Sequence, residues 1–116
     1  MDTLKINYHN KIFRPISNSP NGEVTDDLRF HYQQSENILT CTYHGANISI
    51  GHLLGLVDDT GHIQIQYHQV NMDGQINSGA CTSRPELMPN GKIRLYESWQ
   101  WTSGDKSSGT SILEEI

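Results

Sequence analysis

The stretch Lys92-Ile-Arg-Leu-Tyr-Glu-Ser-Trp-Gln-Trp-Thr102 alternates along its whole length. In a strand, successive side chains point to opposite faces. Ile93, Leu95, Glu97, Trp99 and Trp101 therefore share one face, and Lys92, Arg94, Tyr96, Ser98 and Gln100 share the other. A helix would scatter both sets around its circumference. The strand reading leaves one anomaly, a carboxylate in line with the two tryptophans.

The same period-2 pattern runs through neighbouring segments. HIQIQYHQV (62–70) places Ile63, Ile65 and Tyr67 opposite Gln64, Gln66 and His68. LRFHYQQ (28–34) places Leu28, Phe30 and Tyr32 opposite Arg29, His31 and Gln33. In ANISIGHLLGL (46–56), Ile48, Ile50, His52, Leu54 and Leu56 share the expected inner face, while Leu53 and Val57 suggest a strand covered on both sides. Segments at 12–16 and 111–116 read as a first and a last strand.

Turn-forming groups separate these runs. They are Pro20-Asn21-Gly22, Ser35-Glu36-Asn37, Gly45-Ala46-Asn47, Asp58 to Gly61, Met72-Asp73-Gly74, Pro89-Asn90-Gly91 and the loop from Ser103 to Gly109. Asn-Gly and Asp-Gly supply the positive φ of tight hairpins. No long segment carries an apolar 3.6 period, so the only helix expected is a single turn at 84–87. About eight strands with short connections make an antiparallel meander.

Composition narrows the function. Thirteen acidic against eight basic side chains give a net charge of -5, and the basic residues do not cluster. Phosphate-backbone binding draws on Lys and Arg, so nucleic acid is not an expected partner. No apolar run approaches the length of a membrane span, and MDTLKINYHNKIF lacks the layout of a secretory signal. With only Cys41 and Cys81, a disulfide scaffold is not expected either, and the inferred compartment is the cytoplasm.

NSPNGEV (18–24), FHYQQ (30–34), DDTGHIQIQYHQVNMDG (58–74) and CTSRPELMPNGKIRLYESWQWTSGDKSSGTS (81–111) resemble a family of small bacterial proteins often labelled N-acetylglutamate synthase. The label implies acetyl transfer from acetyl-CoA. Common acetyltransferases cradle the pyrophosphate at a Gly-rich turn that opens a helix. This chain has neither the turn nor the helix, so acetyltransferase activity is not expected. No cofactor and no catalytic residue follow from the resemblance.

Candidate chemistry centres on Glu97. If the tryptophan face is the inner one, an unpaired carboxylate there is costly and needs a partner. Arg84 and Arg14 are the expected cations. Trp99 and Trp101 need acceptors for their indole N–H groups, which Glu97 or Gln69 would supply. The six histidines form no H-x-H cluster; His31 and His44 are the pair a hairpin would bring closest, and no metal site is expected. His52 reads as an interior histidine, and Cys41 and Cys81 as small core residues. No nucleophile elbow or P-loop occurs.

The expected fold is all-β: a single β-barrel domain over residues 1–116. Its antiparallel meander would close into a small lipocalin/avidin-like barrel, with a two-layer β-sandwich as the alternative. The first functional reading is a binding module holding one small molecule at the barrel mouth, lined by Tyr32, Tyr67, Gln69, Glu97, Trp99 and Trp101. The second is a filled barrel whose outer face mediates self-association into a homo-oligomer. An enzyme ranks third.

Overall fold

The computed structural model describes residues 6–18, 28–45 and 47–116. The expected turn at Pro20-Asn21-Gly22 lies outside them. Among the described residues there are nine strands and no helix: β1 (Ile12–Asn18), β2 (Phe30–His31), β3 (Gln33–Ser35), β4 (Ile38–Gly45), β5 (Ile48–Val57), β6 (Ile63–Asn71), β7 (Ile76–Leu87), β8 (Ile93–Trp101) and β9 (Ser108–Glu115).

All pair antiparallel in one sheet of order β2-β1-β9-β8-β7-β6-β5-β4-β3. The two ends of that order, β2 and β3, are halves of one segment interrupted at Tyr32. β2 pairs with β1 and β3 with β4, so residues 30–35 join both edges. At the seam the backbone of Tyr32 bonds elsewhere: its N–H donates to Lys11 O, and its carbonyl accepts from Asn10 N–H, both at 2.9 Å. The sheet is a barrel closed except at this seam. Taking β2 and β3 together, the strand number is the one expected.

The hairpins follow from their turn residues. In three of them a glycine with positive φ ends a four-residue turn: Gly61 at 84°, Gly74 at 77° and Gly91 at 84°. Their N–H groups donate to the carbonyls of Asp58, Asn71 and Met88 at 3.1, 3.0 and 2.9 Å. The Asp58 carboxylate holds its turn further, accepting from the N–H groups of Thr60 and His62, both at 2.9 Å.

Two expectations are corrected here. Residues 84–87 form no helical turn. They complete β7, with Pro85 opposite Leu95 and Leu87 opposite Ile93. In β5 the face assignment is reversed: Leu53 and Val57 are buried inside, whereas Ile50, Leu54 and Leu56 are exposed and His52 is half-buried outside. Two inner positions of β5 are glycines. A Cβ on Gly51 would lie 2.3 Å from the Tyr43 ring, so that ring fills the space a side chain would take. A register shift between Ile48 and Ile50 then returns Ile48 to the core.

The core occupies the lumen, and one end is stoppered. Tyr8, ahead of β1, crosses the opening and donates its hydroxyl to Gly61 O at 2.6 Å. Its ring lies 6.1 Å from both Phe13 and Tyr32, and those two lie 5.0 Å apart. All three side chains are fully buried. Aromatic clusters of this kind combine a large buried area with favourable edge contacts.

Candidate functional site

The register sets the inner wall rung by rung. Ser83 lies opposite Glu97, and Glu97 opposite Ser111, so these inner residues of β7, β8 and β9 form one polar rung. On β8 it lies between Leu95, which is buried, and Trp99. The Ser83 hydroxyl donates to Glu97 Oε2 at 2.7 Å, and the Ser111 hydroxyl to Oε1 at 3.1 Å. Burial raises the Glu97 carboxyl above its usual range, while the two hydroxyls pull it partly back. Glu97 thus lies deep in the protein while remaining only partly covered.

Opposite expectations apply to its partners. Neither Arg84 nor Arg14 reaches Glu97. Arg84 is exposed on the outer face, its guanidinium 4.6 Å from the centre of the Tyr96 ring, and Arg14 is also exposed. Alternation places every even-numbered residue of these strands outside, which separates Arg84 from Glu97 by the thickness of the wall.

Beyond the rung, toward the end of β8, the lumen becomes aromatic. Trp99 and Trp101 stand edge to face at 6.1 Å, and Tyr67 meets Trp101 at 5.4 Å. Tyr67 lies over Gly79, where a Cβ would come within 2.4 Å of its ring and hydroxyl. The tryptophans are buried but not sealed, and Tyr67 is half-buried. Gln69 is buried and accepts the Tyr43 hydroxyl at 2.8 Å.

Tyr32 is the remaining expected residue. It is fully buried, and its hydroxyl has no hydrogen-bond partner among the described residues. Burial raises its pKa well above the usual tyrosine value, and the Glu97 charge raises it further. A buried hydroxyl without a partner is uncommon and costs stability. Of the six expected residues, the structure groups Tyr67, Trp99 and Trp101, sets Glu97 one rung deeper, and brings the Tyr32 hydroxyl within reach of its field. Gln69 sits with Tyr43 instead.

Ser83 and Ser111 escaped the sequence reading. Serine suits either face of a strand, so only its phase marks it: Ser83 is two residues from Cys81, and Ser111 two from Leu113. Cys41 and Cys81 are buried and free, as expected. Burial pushes the Cys41 thiol up to about 12 and the Cys81 thiol higher still. Neither is a reactive thiolate near neutral pH. His52 is not interior; it faces His68 across the outer surface, with ring centres 5.5 Å apart. Among the described residues, no three His, Cys, Asp or Glu side chains converge on a metal site.

An eight-stranded closed meander with a stoppered end and an aromatic lumen agrees with the outcome of comparison with known families. Residues 6–116 match the family model described as avidin-like protein. The chain belongs to the avidin-like family. No curated protein and no solved structure matches it. The match supports a small β-barrel family and does not show the synthase label.

The outer wall of this avidin-like barrel carries a groove of about 780 Å³ across β4 to β9. Ile38, Leu54, Leu56, Gln66, Ala80 and Gln100 are among its walls, and no charged residue lines it.

Proposed function

We propose that the protein binds one small molecule inside the barrel, in the space bounded by Tyr67, Trp99, Trp101 and the Glu97 rung. One observation carries the reading: the buried Tyr32 hydroxyl, unpartnered among the described residues, lies in the field of the Glu97 carboxyl. A protein wall that leaves a buried hydroxyl without a partner at its own cost is matched to a ligand that uses it. Apolar walls with a few fixed polar groups are the usual make-up of such sites. The avidin-like fold supports the same reading.

The test is a thermal-shift screen of a metabolite library, followed by Trp fluorescence titration of the hits. A lumen ligand raises the melting temperature and perturbs both tryptophans, and Trp101→Phe weakens it. Hits that leave Trp fluorescence unchanged, or that bind Trp101→Phe equally well, would place binding elsewhere.

A second reading is favoured by the outer groove. Its uncharged lining, with Leu54, Leu56 and Ile38 exposed around it, fits a second copy of the chain. Two copies each carrying -5 repel unless the contact itself is neutral, and interface cores are depleted of charge. Sedimentation of wild type and a Leu54→Arg, Leu56→Arg double variant tests this. A dimer that becomes a monomer supports the reading; a wild-type monomer at high concentration removes it.

A further inference from the structure

We infer that the ligand of the lumen carries a cationic nitrogen, an ammonium group seated on Glu97 and enclosed by Tyr67, Trp99 and Trp101. The inference rests on the lumen-binding reading and adds the chemical class of the ligand.

The first support is hydrogen bonding. Each Glu97 oxygen receives one serine hydroxyl, and an ionised carboxylate has about four acceptor sites. Acceptor capacity is left over. Both serines are placed to donate to the carboxylate, an arrangement that suits the anion. The Tyr32 oxygen supplies a further acceptor, and an ammonium has three N–H groups to share between them.

Missing counter-charge is the second. Seven of the eight lysines and arginines lie among the described residues, and each is committed outside the lumen. Lys11 pairs with Glu115 at 3.4 Å and Arg94 with Glu114 at 2.6 Å. Arg84 stacks on Tyr96, and Arg29 donates to Leu28 O at 2.7 Å. Arg14, Lys92 and Lys106 are exposed. An ionised carboxylate at this depth calls for a cation, and none of these seven described groups supplies it.

The third support is the aromatic enclosure. Three electron-rich rings, joined edge to face at 5.4 and 6.1 Å, line the same wall beyond the carboxylate, Trp99 on the next inner rung and Trp101 with Tyr67 on the one after. Ammonium groups are attracted to such ring faces, most strongly to tryptophan. An anionic ligand would meet the Glu97 charge, and a neutral one would leave it unbalanced.

Protons balance in a simple way. Burial raises the Glu97 carboxyl in the empty barrel, so below its folded value ammonium entry releases one proton from Glu97 to solvent, and above it the ion pair forms without proton release. The titratable groups of the facing strands, Tyr32, Cys41 and Cys81, are all pushed up by burial and stay neutral. Affinity therefore rises with pH until Glu97 is ionised in the empty barrel.

The experiment is a fluorescence and calorimetric titration with benzylammonium, benzyl alcohol and benzoate, and with butylammonium against butanol. It uses wild type and Glu97→Gln at pH 8. The expected result is that each ammonium binds wild type about tenfold or more tighter than its alcohol, and that Glu97→Gln removes this preference. An alcohol that binds wild type as well as its amine overturns the cationic class while leaving the lumen reading standing. Silence of all five probes, with unchanged Trp fluorescence, overturns both. The wild-type comparison decides the matter even if Glu97→Gln folds poorly.

Discussion

The two halves of the lumen are built on different rules. Around Tyr8, Phe13 and Tyr32 the rings pack at 5.0 to 6.1 Å with full burial, and Tyr8 is tied to the β5–β6 turn by its hydroxyl. Around Tyr67, Trp99 and Trp101 the rings are as large, but Tyr67 and, deeper along β8, Glu97 are only partly covered. The first half closes the barrel. The second is less completely covered, and the polar rung Ser83–Glu97–Ser111 lies beneath it. Removing a ring from the first half should cost stability, while removing one from the second should cost binding.

The largest expected effect tests the closed half. Phe13→Ala removes a fully buried ring and should lower unfolding free energy by about 3–5 kcal/mol. Tyr67→Ala, at the half-buried end, should lower it by clearly less. Urea melts with fixed slope measure both. Equal losses would erase the distinction between the halves.

The next concerns the rung. Glu97→Ala leaves the Ser83 and Ser111 hydroxyls without their acceptor, a loss of about 1–3 kcal/mol. Its pH dependence sharpens the point. Burial raises the Glu97 carboxyl in the folded protein above its ordinary 4.5. The folded state then holds this proton more tightly than the unfolded one. The stability it contributes is full below about 4.5 and is lost as pH rises through the folded value. Glu97→Gln cannot titrate, so its advantage over wild type should grow from pH 4 upward and then level off. A difference that stays flat with pH would show that Glu97 is ordinarily solvated.

Much of this architecture was legible in the residues. Alternation in 62–70 and 92–102, with glycines at 61, 74 and 91, fixed the hairpins because each turn needs a positive φ that glycine supplies at little cost. Alternation separated the two faces of β8 without deciding which of them is inner. Three things were hidden. Glycines at 51 and 55 occupy inner positions of β5 and made its exposed leucines look like the core. The partners of Glu97 were hidden because serine carries no hydrophobic signature. The Tyr8 stopper was hidden because it belongs to no strand and its partner is a backbone carbonyl far along the chain.

The most direct test uses one substitution at two tyrosines whose rings lie 6.1 Å apart. Tyr8→Phe breaks a buried bond and strands the Gly61 carbonyl, and should cost about 1–3 kcal/mol in a urea melt. Tyr32→Phe removes a hydroxyl without a partner, so the ligand-free protein should keep its stability or gain up to about 1 kcal/mol. The same Tyr32→Phe protein should bind benzylammonium more weakly than wild type. A Tyr32→Phe loss as large as that of Tyr8→Phe would mean that the hydroxyl is already satisfied, and the vacancy assigned to a ligand would not exist.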